Sequence, residues 1–536
     1  MSNSAYTVEI MIYDTIIVGA GSAGSVLAAR LTEDPERSVL LLEAGPDYPD
    51  PETLPTELKH GYGIEPKIWA KAFGELSTHN WGYEGRATEK NTSISVPRGK
   101  VVGGSSAVNA QIFLRGVPED YDAWVSEGNK GWGYRDLLPY FLRVEKDPDF
   151  KGDFHSGEGA VPVRRWDKSE MLPDQIAFYD ACRSYGFAES PDQNNPDSTG
   201  IGSTPFNNAD GIRWSTALTY LGPARHRLNL TIRSDTKVRS VIFQNERAVG
   251  VIAESGGDLF ELSAGEVILA GGAYASPQLL MLSGVGPADE LKKHGIPVLS
   301  DLPGVGKNLR DHPQVQLTFT TKPGFDQHPL DPRIQNALRY TANGSPYRND
   351  MFIHPIAHAS EFDTYTVPSG QTVRDDEVGV GMIAVIYLAD GSGSVTLRSK
   401  DPEIQPNIDF NYLAEENDRT RLREAVHICL DLAKEDSYKD IIDQLVNPSQ
   451  EDLESDATLD DWLLRYVRTS HHGSGTCKMG PATDPEAVVD NQGRVHGLSN
   501  IRVVDASIMP DCIRANTNVT TMVIGERISD LIRGVS

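Results

Sequence analysis

Apolar positions along this chain fall into short runs whose spacing changes from region to region. Residues 13–18 are a largely apolar, β-branched run, as expected of a strand buried on both faces. A glycine-rich turn follows, and residues 25–32 then have helical composition, with Val26, Leu27, Ala29 and Leu31 available for packing. Asp34 and Pro35 end that helix, and residues 38–42 (SVLLL) predict a second buried strand that runs into Glu43, Ala44 and Gly45. Strand-like alternation returns at 228–271, followed by a helical segment at 276–283.

The texture changes from about 315 to 460. Strand-like pieces such as 315–320 and 380–387 are separated by long polar loops, and amphipathic helices are predicted around 416–434 and 459–467. The last seventy or so residues return to a βα pattern, with a strand at 501–504 and a helix at 520–532. The expected fold class is α/β with an α+β second domain. A Rossmann-type cofactor domain is assembled from 1–160, 205–315 and 460–536. A substrate domain with an antiparallel sheet and flanking helices comes from 161–204 and 316–459.

Composition narrows the partners. The 536 residues allow a large core, and the formal net charge of −26 argues against nucleic acid and anionic membranes. No run of eighteen apolar residues suggests a membrane span, and no leader is evident, so the cytoplasm is the expected location. Cys182, Cys429, Cys477 and Cys512 lie far apart without ligand spacing, and no metal site is expected.

The glycine turn carries chemistry. In Gly19-x-Gly21-x-x-Gly24 the first glycine makes a tight turn, the second admits a pyrophosphate and the third lets helix pack on strand. Ala20, Ser22 and Ala23 complete this loop, whose N–H groups and helix dipole would hold the phosphates. Glu43, about twenty residues on, is placed for ribose hydroxyls and disfavours a 2′-phosphate. This fingerprint indicates a dinucleotide and leaves FAD and NAD both open.

Several separated blocks together resemble the glucose–methanol–choline (GMC) oxidoreductase family over nearly the whole length, nearest to its choline oxidase and hydroxymethylfurfural oxidase branch. They are the N-terminal run 13–45, PRGKVVGGSS at 97–106 with Asn109, GGAYASPQLL at 271–280 with SGVGP at 283–287, LPGVGKNLRDHP at 302–313, HHGSGTCKMG at 471–480, and residues 503–527. The resemblance selects FAD. It implies that Val102, Gly103, Asn109, Ala110, Gln111 and Ile112 line the pyrophosphate and flavin, with Ala44 beside Glu43. It further implies that Trp81 covers part of the cofactor, Val238 meets the adenine, Asp505 and Ala506 meet the ribityl chain and phosphates, and Asn518 and Val519 meet the flavin edge.

The same resemblance implies that His472 is the catalytic base and Asn516 its partner, with His471 contacting flavin or pocket wall. Imidazole suits the task, because forming an alkoxide at neutral pH needs a base of pKa about 7. Asn516 can orient the same oxygen without competing for its proton. Three positions depart from the family pattern. Gly473 and Thr517 each replace a proline, which predicts less rigid loops. Val108 stands where choline oxidase carries the histidine linked to FAD, so the FAD is expected to be non-covalent.

The expected reaction is oxidation of a primary alcohol, aromatic or furanic, to the aldehyde by hydride transfer to flavin N5. The reduced flavin is reoxidised by O2 or another acceptor. The alternatives are a dehydrogenase passing electrons from choline-like or sugar-type alcohols to a quinone or carrier, and a flavin-bearing lyase. The lid is expected from 315–460 and part of 50–80, with Phe113, Met351, Phe352 and Tyr387 as candidate lining. A monomer or homodimer is expected.

Overall fold

The structure is a computed structural model that describes residues 12–62, 68, 70–74, 77–359 and 379–535. The first strand, Ile12–Val18, forms the centre of a seven-stranded sheet. Val39–Leu42 and Asp258–Leu269 flank it in parallel, with Ile16 opposite Leu40 and Ile17 opposite Ile268. Leu230–Arg233 lies parallel beyond Val39–Leu42, and Ile501–Val503 pairs in parallel with the end of Asp258–Leu269. Arg247–Ser255 and Lys237–Gln244 complete the sheet in antiparallel fashion. Asp258–Leu269 is one continuous strand, because both halves find partners along its whole length.

The helix Ser22–Leu31 begins three residues earlier than its composition suggests, inside the glycine turn itself. Its close seating explains the shift. Gly19 has φ +104°, and a Cβ on Gly24 would stand 1.9 Å from the Gly19 carbonyl oxygen. The terminal helix Thr517–Arg533 packs across it, where a Cβ on Gly525 would already lie 3.0 Å from Val26 Cβ.

The second sheet is antiparallel. Its order is Ile442–Asn447, Pro313–Thr321, Gly379–Ile386, Met351–Ala359, Asn336–Tyr340 and Gly200–Ser203, with Arg468–Thr469 paired to Pro313–Thr321. The two-residue period of a strand divides its residues between two faces. Val315, Ala384, Ile353, Leu338 and Ile201 align across one face and join a core shared with the helices Pro173–Tyr185 and Glu416–Leu432. Gln314, Val385 and Phe352 align across the other, with Gln316, Ile383 and His354 in the next row. Phe352, Ile383 and Val385 belong to the core of the first sheet. The second sheet is therefore a wall with one side against its own helices and one side turned to the glycine turn. No described helix is long and apolar enough to cross a membrane.

The close approach at Gly24 is testable. Gly24→Ala is expected to cost about 1–3 kcal/mol by overpacking, read as a lower urea midpoint. An unchanged midpoint would remove the packing role assigned to this glycine.

Candidate active site

A cavity of about 520 Å³ lies between the glycine turn and the second sheet. Gly19, Gly21, Ser22 and Ala23 line it, with Glu43 and Ala44 from the end of the second strand and Thr236, Lys237 and Val238 nearby. Trp81 also lines it, stacked on Tyr83 with ring centroids 5.8 Å apart and with the Lys100 ammonium 5.1 Å from its ring centroid. Asn109, Ala110, Gln111 and Ile112 line the same cavity, as do Asp505, Ala506 and Asn518. His471, His472 and Asn516 complete it, together with Phe352 and Tyr387.

Other expected contacts stand behind this wall. Ala20 is buried, with its N–H given to Glu43 at 3.0 Å. Gly24 is buried against Gly19. Val102 and Gly103 are buried, and their N–H groups are taken by the carbonyls of Pro46 and Ala20. Val519 is fully buried inside the terminal helix. Phe113 and Met351, expected as lining, are core residues instead. Phe113 belongs to the core of the first sheet, and Met351, next to Phe352 on its strand, points to the opposite face. The lid segments 63–67, 75–76 and 360–378 lie outside the described residues.

The cavity has the features of a cradle for a dinucleotide. Gly21 faces Gly104, whose Cβ, were it present, would lie 2.6 Å from Gly21 Cα. Two helices start at the cavity, at Gly21 and Asn516, and neither cap residue bonds its helix through a side chain. Their first N–H groups are thus open to a ligand, at the positive ends of the helix dipoles. Asn518 Oδ1 accepts from Ser22 Oγ at 2.7 Å and ties the two starts together. The Glu43 carboxylate accepts from Ala20 N–H and from Gly45 N–H at 2.9 Å, which leaves lone pairs for a diol. Burial raises its pKa to about 7, with the backbone bonds opposing that rise. Asp505 accepts from Gly272 N–H at 2.8 Å and Ser276 Oγ at 2.6 Å, so it organises the start of the helix Gly272–Leu282.

His472 is the centre of a bonded chain. Asn516 Nδ2 donates to its Nε2 at 2.9 Å, and its Nδ1 meets His312 Nδ1 at 2.8 Å. Tyr387 OH donates to Asn516 Oδ1 at 3.3 Å, which sets the amide so that its NH2 faces His472. An Nε2 that accepts from Asn516 holds a lone pair, so the His472 proton is on Nδ1 and is donated to His312. Burial, then the charges of His312, His471 and Arg98, hold the His472 pKa well below 6.5. Burial takes His312 down to about 4. Both rings are neutral at pH 7.

Asp311 secures this arrangement. Its Oδ1 accepts the N–H of His472 at 2.9 Å and of His312 at 2.8 Å, and its Oδ2 accepts Tyr412 OH at 2.7 Å and Thr469 Oγ1. Neither Asp311 nor His312 was singled out from the sequence, although both stand in the block 302–313. Two further details explain the unusual loop. His471 has φ +67°, a strained value for a residue with a Cβ. Gly473 has a positive reason to be glycine, since a Cβ there would lie 2.2 Å from Tyr274 OH. The looser loop expected from loss of proline is replaced by one packed directly on a tyrosine.

Away from the cavity, Glu145, Asp147 and His155 form a buried donor cluster. Arg115 and Arg165 neutralise its carboxylates, and His155 Nε2 bonds Asp192 at 2.7 Å. Burial opposes protonation of His155, but its carboxylate bonds outweigh that and raise its pKa to about 10. These contacts join the cluster into a network of ion pairs.

Comparisons with known proteins agree with this architecture. Family sequence profiles described as GMC oxidoreductase match residues 13–314 and 389–525. An oxygen-dependent choline dehydrogenase of Pseudomonas savastanoi pv. phaseolicola is 37% identical, over 97% of this chain and 94% of its own. The mitochondrial choline dehydrogenase of Homo sapiens is 35% identical, over 97% and 90%. The crystal structure of pyridoxine 4-oxidase from Mesorbium loti superposes with a TM-score of 0.88 at 30% identity, over 97% of this chain and 99% of its own. This chain belongs to the GMC oxidoreductase family and is an FAD-dependent alcohol oxidoreductase.

Proposed function

We propose that the chain oxidises an uncharged primary alcohol, aromatic or furanic, to its aldehyde, with His472 as base, Asn516 orienting the oxygen, and FAD held without a covalent link. The observation that carries this reading is the His472–Asn516 pair, 2.9 Å apart on the cavity wall. An alcohol oxygen entering between them would accept from Asn516 Nδ2 and donate to His472 Nε2, so one bond is replaced by two. FAD, when bound, would supply the two-electron oxidant, its N5 accepting the carbon-bound hydride. The hydroxyl proton goes to His472 Nε2. The imidazolium so formed keeps its Nδ1–H bond to the neutral His312, which stabilises it as charge develops.

The helix start at Ser22 with Gly19, Gly21 and Ala23 would hold the pyrophosphate. Glu43 and Ala44 would hold the ribose, Val238 and Trp81 the adenine end, and Asp505 and Ala506 the ribityl chain. Asn109, Ala110, Gln111, Ile112, His471 and Asn518 would surround the flavin ring. Val108 lines the cavity and offers no nucleophile for a flavin link.

The substrate class is read from the cavity wall beside His472. Ile334, Phe352, Ile383, Val385 and Tyr387 make it apolar, and Phe352 stacks on Tyr387 with centroids 4.5 Å apart. Gln314 and His354 are its polar members. No carboxylate among the described residues stands there. Glu403 pairs with Lys237 and Arg239 near Val238, and Asp505 is bonded to Gly272 and Ser276. A planar neutral ring suits this surface better than a quaternary ammonium. A choline-like substrate is the second reading, favoured by the names of the relatives. Reoxidation is assigned to O2 or to a quinone or other carrier.

Anaerobic mixing of the holoenzyme with benzyl alcohol, hydroxymethylfurfural, choline or glucose distinguishes these readings. The first two are expected to bleach the flavin absorbance. Bleaching by choline alone would overturn the neutral-substrate reading, and an oxidised flavin with every alcohol would overturn alcohol oxidation.

Acid precipitation of the holoenzyme is expected to leave a colourless pellet and a yellow supernatant. A pellet that stays yellow after washing would contradict non-covalent FAD.

A further inference from the structure

Arg213 is fully buried and has no carboxylate partner among the described residues. Its Nη1 donates to the carbonyls of Glu57 at 2.7 Å, Leu58 at 2.9 Å and Ala107 at 3.0 Å, and its Nε donates to that of Asn109 at 2.9 Å. Its Nη2 has no acceptor among the described residues. Burial lowers its pKa only to about 10, so it remains charged at neutral pH. An arginine buried among carbonyls alone is a costly arrangement unless a negative charge is nearby in some state of the protein.

Its position indicates where that charge arises. Val108, Asn109 and Ala110 line the cavity; of the carbonyls that bind Arg213, one is that of Asn109 and another is that of Ala107, immediately before this segment. The guanidinium thus sits one peptide behind the cavity wall. In a trans peptide the C=O and N–H point in opposite directions. With the Asn109 carbonyl drawn back to Arg213, the Ala110 N–H is turned away from it, and it finds no acceptor among the described residues.

We propose that Arg213 is a positioning residue that stabilises the reduced, negatively charged flavin, by fixing the Asn109–Ala110 peptide and placing an uncompensated positive charge behind it. This rests on the flavin reading of the cavity. Hydride transfer delivers two electrons and one proton, so the ring gains one net negative charge while the alcohol proton goes to His472. At separations on the order of 10 Å and an effective dielectric of about 20, one such charge changes an equilibrium by about tenfold. The pyrophosphate is the other anion that Arg213 could serve, and it is present in both redox states.

The test compares wild type, Arg213→Lys and Arg213→Gln as holoenzymes. The two-electron flavin potential and the dissociation constant of sulfite, which adds to oxidised flavin and leaves it negatively charged, are measured. Arg213→Gln is expected to lower the potential by about 30 mV, the two-electron equivalent of tenfold, and to weaken sulfite binding about tenfold. Arg213→Lys is expected to stay within about threefold of wild type, because it keeps the charge. Equal shifts in both variants, or an unchanged potential in Arg213→Gln with FAD bound, would overturn the proposal. Equal loss of affinity for oxidised and reduced FAD would assign the charge to the pyrophosphate and also overturn it. A wild-type measurement decides the matter even if the variants lose FAD. Reduced flavin in the wild-type holoenzyme is expected to stay anionic to about one pH unit below the point where free reduced FAD protonates. A neutral reduced flavin there contradicts the proposal. Wild-type protein that binds no flavin at all would instead remove the flavin reading on which the proposal depends.

Discussion

Asp311 is buried with both carboxylate oxygens occupied, and its four bonds connect parts of the chain more than 150 residues apart. One oxygen takes the N–H groups of His312 and His472, and the other takes hydroxyls from Thr469 and Tyr412. Bonds to an ionised acceptor contribute about 1.5–3 kcal/mol each. Through them the entry to the second sheet at Pro313 and the His471–His472 loop become one unit. The distance between His312 and His472, and so the tautomer of His472, depends on that unit.

The second consequence is electrostatic. The two imidazoles are kept neutral chiefly by burial, and one must donate where the other accepts. Asn516, held by Tyr387, settles the direction. A neutral imidazole beside an apolar aromatic wall suits the neutral alcohol proposed as substrate. The nearby fixed charges serve other parts of the cavity: Glu403 is paired near Val238, Asp505 holds a helix start, and Arg213 stands behind the Asn109–Ala110 peptide.

The glycine turn, the parallel strands around it and the separated family blocks were legible because their signals are local. His472 and Asn516 could be named for the same reason, each lying within a distinctive short motif. Residues that act through distant partners were not legible. The role of His312 needs a loop 160 positions away, and that of Arg213 needs carbonyls 104 and 106 positions away. Strand parity was likewise hidden: Met351 and Phe352 have similar hydrophobicity, and only the pairing register shows which faces the cavity. Gly473 read as a lost proline because Tyr274, whose hydroxyl fills the space beside it, is so far away in the chain.

The central claim is that His472 takes the alcohol proton. The most direct measurement is the anaerobic, single-turnover rate of flavin reduction by benzyl alcohol in wild type and in His472→Gln, each loaded with FAD. A general base of this kind contributes about 10²–10⁴-fold, so the variant is expected to hold FAD and to reduce it slower by that factor. Reduction within a few-fold of the wild-type rate would contradict the account.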